Sequence, residues 1–193
     1  MAYRNGNYCA FYVDEPFSEN NLGANSTHDF VYYNLLKAWK AADTDFPFID
    51  SHDKTYNVRD GSDWETTLKP RLRERIRNSK NIVLFLSSIT KNSRALSEEI
   101  DYGINTMGLP IIVVYPDYTT YDDLIESDSR MIKEEIIDLW EKLPKFKSSI
   151  DKIPSMHMPL NKEYIRQALS DPGFMVKTKT ESGTYILRNW FLL

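Results

Sequence analysis

Short, continuous apolar runs recur along the chain and alternate with longer segments in which apolar residues are spaced by three or four. The clearest runs are Tyr8–Val13, Asn81–Leu86 and Leu109–Tyr115. A run of this length without alternation is typical of a strand that is buried on both faces. Ile153–Met158 predicts a further short strand, and Phe46–Ile49 predicts a weak one.

The segments between these runs predict helices, each with a recognisable start. Ser26 or Thr27 would cap a helix with Phe30, Val31, Leu35 and Trp39 on its apolar side, and Ser62-Asp63-Trp64-Glu65 resembles a capping box. Pro70, inside the helix that follows, predicts a kink or a delayed start. Further helices are predicted after Ser93 and ending at Gly108, over Met131–Leu143, and after Asn161, with residues 119–130 as a loop.

Strands that alternate with helices indicate βαβ units and a mostly parallel sheet. The pattern therefore predicts an α/β fold, a flavodoxin-like doubly wound sheet of five strands. Pro47 places the Phe46–Ile49 strand at an edge or makes it irregular. We expect one domain over residues 1–170 and a tail over residues 171–193 that packs on the domain or extends it, for example as a hairpin.

Composition narrows the class of protein. The 193 residues are 41% hydrophobic, enough for a real core, and the net charge of −4 predicts no general nucleic-acid partner. No apolar stretch has the length of a membrane helix, and the polar N-terminus lacks the apolar region of a signal peptide. Cys9 is the single cysteine, so no disulfide forms within the chain. We expect a cytoplasmic protein with no membrane partner.

Several common kinds of site have no motif in this sequence. Neither Gly-x-Gly-x-x-Gly nor a Walker loop occurs, and no Gly-x-Ser-x-Gly elbow is present. His28, His52 and His157 are far apart and show no metal-ligand spacing, so we expect no metal site.

Polar and aromatic residues follow the predicted strands, at the sheet edge where open α/β folds bind ligands. They are Phe11 and Tyr12 after the first strand, Asp50, Ser51 and His52 after the second, and Ser88 after the third. Strand ends are also polar simply because they meet water. Glu98 and Glu99, in the helix that follows Ser93, lie about a quarter turn apart, and spacing alone does not choose between them.

A family resemblance goes further. Ser93-x-Ala95-Leu96-x-x-Glu99-Ile100 resembles the helix motif of TIR domains, Ser-x-Trp-(small or apolar)-x-x-Glu-(apolar). Asn78–Ser87 resembles the TIR strand that precedes this helix, and Asp60-Gly61 is similar to the loop after the second TIR strand. The resemblance covers about residues 8–160 and is to TIR-like proteins of bacterial anti-phage defence, in particular the TIR component of the Thoeris system.

The resemblance implies an enzyme that cleaves NAD+ between nicotinamide and ribose, with NAD+ as substrate and no further cofactor. It places the catalytic carboxylate on Glu99 and implies that the strand-end residues listed above, together with Tyr102, contact the substrate. It also implies a cyclic or conjugated ADP-ribose signal, an effector protein that senses this signal, a phage-derived activator, and self-assembly on activation.

Ala95 departs from the family motif, because the family has Trp at this position. Tyr102 or Trp64 would then supply the missing aromatic surface. Two other functions fit the same fold: a non-enzymatic TIR module that only assembles with partners, and an enzyme like the nucleoside deoxyribosyltransferases. An assembly module has no need of Glu99, whereas both enzymes do.

Overall fold

One six-stranded sheet organises the computed structural model, which describes residues 4–12, 28–52, 63–127, 129, 131–186 and 191–192. The strands in this part of the chain are β1 (Gly6–Ala10), β2 (Ser79–Phe85), β3 (Ile111–Tyr115), β4 (Pro154–Pro159), β5 (Gly183–Ile186) and β6 (Phe191–Leu192). They are hydrogen-bonded in this order. The first five are parallel and β6 is antiparallel to β5, which confirms the α/β class and the mostly parallel sheet.

Helices cover both faces of this sheet. They are α1 (His28–Ala42), α2 (Lys69–Arg77), α3 (Arg94–Asp101), α4 (Glu134–Glu141), α5 (Pro144–Lys147) and α6 (Lys162–Ser170). Asp43, just after α1, forms an ion pair with Arg166 of α6. On the other face, α2 packs on α3, and α5 contacts both α3 and α4. Within the described residues, no helix is long and apolar enough to cross a membrane.

The prediction of a strand over Phe46–Ile49 is wrong. Only a single parallel bridge, between Asn7 and Asp50, joins this segment to the edge of β1. Pro47 lacks the backbone N–H that a ladder needs, which explains why pairing stops there. The backbone N–H and C=O of Asn7 bond to Ile49 and Ser51, so the segment lies on the side of β1 that faces away from β2. This order is flavodoxin-like, and β5 supplies the fifth parallel strand instead.

The helix that contains Pro70 has a delayed start, which is one of the two outcomes predicted for it. Asp63 is the cap, and its side chain accepts a hydrogen bond from Thr66 N at 2.8 Å. A π-helical turn over Trp64–Leu68 comes first, and regular α-helix begins at Lys69, beside Pro70. Pro70 thus delays the α-helix, because it cannot donate to the preceding turn. Ser62, like Ser26, Thr27 and Asp60-Gly61, lies outside the described residues.

The helix after Ser93 agrees with its prediction. The Ser93 side chain accepts from Leu96 N at 3.1 Å and caps α3. The helix continues as a π-helical turn over Tyr102–Thr106, and Gly108 follows with a φ of 61°, a left-handed conformation that favours glycine. This cap fixes the rotation of α3, and hence the direction of each of its side chains.

Two helix predictions need correction. On α1 the fully packed apolar residues are Tyr33 and Leu36, whereas Val31 is 49% exposed. The helix over Met131–Leu143 begins only at Glu134, because Ile132 forms an isolated antiparallel bridge with Ile125. A 3-10 turn over Tyr121–Asp123 also interrupts the predicted loop.

A chain of buried hydrogen bonds lies where the C-terminal strands join the sheet. Trp140 Nε1 donates to Tyr115 Oη at 2.6 Å, and Tyr115 Oη lies 2.7 Å from His157 Nδ1. His157 Nε2 lies 3.1 Å from Ser155 Oγ, which donates to the carbonyl oxygen of Gly183 at 3.2 Å. Burial lowers the pKa of His157 to about 3, so its ring is neutral at physiological pH.

The predicted division of the chain into a domain over residues 1–170 and a tail over residues 171–193 stays a prediction.

Two asparagine side chains meet inside the sheet. Asn7 Nδ2 donates to Asn81 Oδ1 at 2.8 Å, and both residues are fully buried. Asn81 Nδ2 donates to the carbonyl oxygen of Phe174 at 2.9 Å, and Asn7 Oδ1 accepts from Ile49 N at 2.8 Å. The pair therefore connects β1, β2, the edge segment and the C-terminal part of the chain.

We predict that Asn81→Ala lowers the free energy of unfolding by about 2–3 kcal/mol, because it leaves the buried Asn7 amide without its Asn81 partner and removes the hydrogen bond from Asn81 Nδ2 to the Phe174 carbonyl. Urea unfolding followed by circular dichroism measures the change. Asn34→Ala, at an exposed position of α1, is the control and should stay within about 0.5 kcal/mol of the parent. Equal effects of the two substitutions would contradict the role of the buried pair.

Candidate active site

The Glu99 carboxyl group points from α3 towards the sheet, where it meets Tyr8 of β1. Tyr8 Oη donates to Glu99 Oε1 at 2.7 Å, and Tyr8 itself is only 1% exposed. The Glu99 residue keeps part of its surface in contact with solvent, but protein encloses most of its carboxyl group. Burial raises the pKa of Glu99 to about 8, although Tyr8 and the nearby Arg75 partly oppose the rise.

Glu98, its neighbour, has a different environment. Its Oε1 lies 2.6 Å from Arg73 NH2 and its Oε2 lies 3.9 Å from Lys69 Nζ, so it forms salt bridges with α2. The two carboxylates thus separate into a helix-to-helix ion pair and an inward-facing acid. Glu99 is the one whose enclosed carboxyl with a raised pKa is typical of a functional site.

An aromatic cluster adjoins Tyr8. The rings of Tyr8 and His52 lie 4.6 Å apart, and Phe11 stacks on Tyr33 of α1 at 5.4 Å with an interplanar angle of 19°. The Tyr33 and His52 rings lie 5.5 Å apart. Of the residues that the sequence predicts for the site, His52 therefore packs directly on the tyrosine that binds Glu99, and Phe11 lies next to His52, with ring centres 6.3 Å apart.

Asp50 and Ser51, in the segment beside β1, form hydrogen bonds next to this cluster. Asp50 Oδ2 accepts from Tyr33 Oη at 2.5 Å, and its Oδ1 accepts from His52 N at 2.8 Å. Ser51 Oγ donates to the carbonyl oxygen of Asn7 at 3.0 Å. Each of these side chains already has a protein partner, and their contact with a substrate stays a prediction.

His52 is held in one tautomer by the main chain. Its Nε2 lies 3.1 Å from the carbonyl oxygen of Cys9, which can only accept, so Nε2 carries the proton. Burial is the main cause of a lowered pKa for His52, and the ring is neutral at pH 7. Burial also raises the pKa of the Cys9 thiol, which makes it an inert core residue.

Tyr12 and Ser88 belong to different surroundings. Lys91 Nζ lies 5.9 Å from the centre of the Tyr12 ring. Ser88 N donates to Asp117 Oδ2 at 2.6 Å, and its carbonyl oxygen accepts from Lys142. None of these contacts involves Glu99, and the substrate contacts of both residues also stay predictions.

The buried carboxylate of Asp29 forms hydrogen bonds to residues that follow β1 and β2. Asp29, in the first turn of α1, accepts from Ser87 Oγ at 2.8 Å and from Thr90 Oγ1 at 2.9 Å. The backbone of Tyr12 also bonds to it. Burial raises the pKa of Asp29, but its three partners favour the charged form. This arrangement holds the ends of β1 and β2 against α1.

The two aromatic residues that we expected to replace the family Trp are each covered by an arginine. Arg73 lies over the Tyr102 ring, with Cζ 4.7 Å from the ring centre, and Arg94 lies over Trp64 at 4.8 Å. Arg94 directly precedes Ala95 in the chain, so Trp64 lies near the start of α3. Which of them serves the substrate stays open to test.

Tyr8 and Tyr33 are the residues of this site that the sequence interpretation missed. Tyr8 falls in an apolar run and reads as core. Its only signal is that a hydroxyl in a strand buried on both faces needs a partner inside the protein. In the described part of the chain, no group of three His, Cys, Asp or Glu side chains is placed to hold a metal ion.

The fold and the site together define a class of protein. A flavodoxin-like parallel sheet with an inward-facing glutamate on the helix after β2 agrees with the TIR-type domain that the sequence resembles. A family model described as the Thoeris protein ThsB, TIR-like domain, matches residues 8–121, which is more than half of the chain. The chain therefore belongs to the ThsB TIR-like domain family, a family of TIR modules in anti-phage defence. The match includes Glu99, Tyr8 and the aromatic cluster.

We predict that Glu99→Gln makes the protein more stable at high pH. The folded state keeps a proton on Glu99 up to about pH 8, whereas the unfolded chain loses it near 4.5. The parent protein therefore loses stability as pH rises through this window, and a neutral glutamine does not. Melting temperatures at about pH 5 and pH 9 should show a gain for Glu99→Gln that grows with pH.

Glu98→Gln is the matched control for this measurement. It removes the partly buried ion pairs with Arg73 and Lys69, so we expect a loss of stability rather than a gain. A melting temperature of Glu99→Gln that does not rise relative to the parent between the two pH values would show that the Glu99 carboxyl is not buried.

Proposed function

We propose that this chain is an NAD-cleaving TIR enzyme in which Glu99 is the catalytic carboxylate. The observation that carries the proposal is the inward-facing Glu99 carboxyl, held by a buried tyrosine on a chain that belongs to the ThsB TIR-like family. A carboxyl group whose pKa is strongly raised by burial is typical of a functional site.

The reaction breaks the bond between the ribose C1′ and the nicotinamide nitrogen. The electron pair of that bond passes to the nicotinamide ring, which is cationic in NAD+ and leaves as neutral nicotinamide. No strong general acid is therefore required. Positive charge develops on the ribose as an oxocarbenium ion, and a nearby carboxylate stabilises this charge or holds the ribose hydroxyls.

The charge state of Glu99 fits this role once substrate is present. In the free protein the carboxyl is mostly protonated at pH 7, because its pKa is about 8. A cationic nicotinamide ring brought next to it favours the ionised form and lowers that pKa. Binding of NAD+ would then release a proton and generate the carboxylate that the reaction uses.

The nucleophile that captures the ribosyl cation decides the product. Water gives ADP-ribose, the adenine of the same molecule gives a cyclic product, and another nucleophile gives a conjugate. Water loses a proton in this step, as does any other nucleophile that attacks through an O–H or N–H group, whereas an adenine ring nitrogen carries no proton and the cyclic product keeps the positive charge. We propose a cyclic or conjugated ADP-ribose signal that a separate effector protein senses, made by a cytoplasmic enzyme that a phage-derived activator and self-assembly switch on.

We predict that Glu99→Gln abolishes nicotinamide release, with at least about a hundredfold loss of rate, because the amide carries no charge to stabilise the ribosyl cation. The measurement is mass spectrometry of NAD+, nicotinamide and ADP-ribose derivatives in infected cells that express the protein. Glu98→Gln is the control and should retain activity, since its carboxylate faces α2.

Unchanged NAD+ levels in cells whose defence phenotype operates would contradict the enzyme proposal. Defence that survives Glu99→Gln with no NAD+ loss would support the assembly module instead. Base exchange on deoxynucleosides, with NAD+ untouched, would support the deoxyribosyltransferase-like enzyme.

The pH dependence gives a second test. We predict that kcat/KM for NAD+ rises with pH and levels off above about 8, because the free enzyme must ionise Glu99 to become active. The rise of kcat should occur at lower pH, since the bound cation favours the carboxylate. Initial rates of the activated enzyme across pH 6 to 9.5 measure both, and a kcat/KM that falls over this range would contradict the assignment.

A further inference from the structure

The Glu99 carboxyl group accepts a hydrogen bond from the sheet, although Glu99 itself lies on α3. Tyr8 Oη donates to Oε1 at 2.7 Å across 91 positions of sequence. No donor in the described part of the chain is recorded at the second oxygen, Oε2. Nor is Oε2 one of the atoms there that are both buried and unpaired. It therefore reaches solvent, and it is the oxygen that a substrate can meet.

Tyr8 is itself rigidly placed. Its strand pairs with β2 on one side, where Tyr8 aligns with Ile82, and the segment around Asp50 flanks β1 on the other. The Tyr8 ring packs on His52 at 4.6 Å, and the Cys9 carbonyl and Asp50 hold His52 in turn. Because the strand pairing and the His52 contact hold the Tyr8 ring, its hydroxyl has a fixed position beside Glu99.

We propose that Tyr8 is a positioning residue for the proposed reaction: its hydroxyl fixes one oxygen of Glu99 and leaves the other facing the ribose. This inference rests on the proposed function of Glu99. Tyr8 has one hydroxyl proton, and burial raises its pKa well above the usual value, so it stays a donor at every working pH. A donor at one oxygen also favours the ionised carboxyl, which burial alone would disfavour.

Tyr8→Phe tests this role with little change in volume. Without the phenol the ionised carboxyl loses its donor, so the pH at which Glu99 titrates should rise. We expect kcat at pH 7 to fall about tenfold to a hundredfold with KM within about threefold, and the loss to shrink at higher pH. Loss of folding alone would reduce the amount of active enzyme but would not move the pH profile.

Tyr115→Phe is the matched control. Tyr115 is a fully buried tyrosine whose hydroxyl bonds to Trp140 and His157, in a network that does not include Glu99. Its loss should destabilise the fold to a similar degree and leave the pH profile in place.

A titration without substrate separates this proposal from the proposed function. Carbon-13 NMR of glutamate-labelled protein, with Glu99→Gln to assign the resonance, gives the Glu99 midpoint directly. We expect a higher midpoint in Tyr8→Phe, and a lower one when 3-fluorotyrosine replaces Tyr8, because a more acidic phenol donates more strongly.

The outcomes are distinct. Opposite shifts in the two Tyr8 variants support the positioning role, whether or not NAD+ proves to be the substrate. A midpoint that neither variant moves overturns it, even if Glu99 is catalytic. Failure of the parent enzyme to consume NAD+ under defence conditions would overturn the proposed function alone.

Discussion

Both faces of the central sheet are covered by helices, so a polar side chain placed in it has to find its partner inside the protein. The unpaired alternative costs about 1–3 kcal/mol for each group. Asn7 pairs with Asn81, Asp29 with Ser87 and Thr90, and His157 with Tyr115. Each of these contacts joins segments that are distant in sequence. The same requirement that stabilises the fold therefore also fixes how its helices and strand ends are arranged.

Glu99 follows this rule only in part, and its raised pKa results from that. One oxygen is bonded to Tyr8, whereas the enclosed carboxyl group as a whole is harder to ionise than a surface glutamate. Glu98, one residue earlier, has two cations beside it on α2. The cap at Ser93 fixes the rotation of α3, so Glu98 faces α2 and Glu99 faces the sheet. Glu98 thus has a structural role, and Glu99 has the proposed catalytic role. A buried acid that weakens the fold at high pH is common where function requires it.

Local patterns were reliable where the physical signal is local. The strands around Ile82 and Ile112, the cap at Ser93 and the turn at Gly108 follow from apolar runs, a hydroxyl before a helix and a residue that tolerates positive φ. The errors arose where pairing with a distant segment decides. Phe46–Ile49 has the composition of a strand but lost its ladder at Pro47, and Ile132 pairs with Ile125 instead of starting α4.

The site shows the same division. The sequence by itself determined the α/β class and the family resemblance that implies Glu99, because apolar runs and a helix motif are each defined by a few consecutive residues. Only the tertiary structure decided how the strand-end residues lie relative to that glutamate: His52 packs on Tyr8, Phe11 packs on His52, and Tyr12 and Ser88 have other neighbours. Tyr8 itself reads as core in the sequence. Its role depends on a hydrogen bond to a residue 91 positions away, and only folding brings such partners into contact.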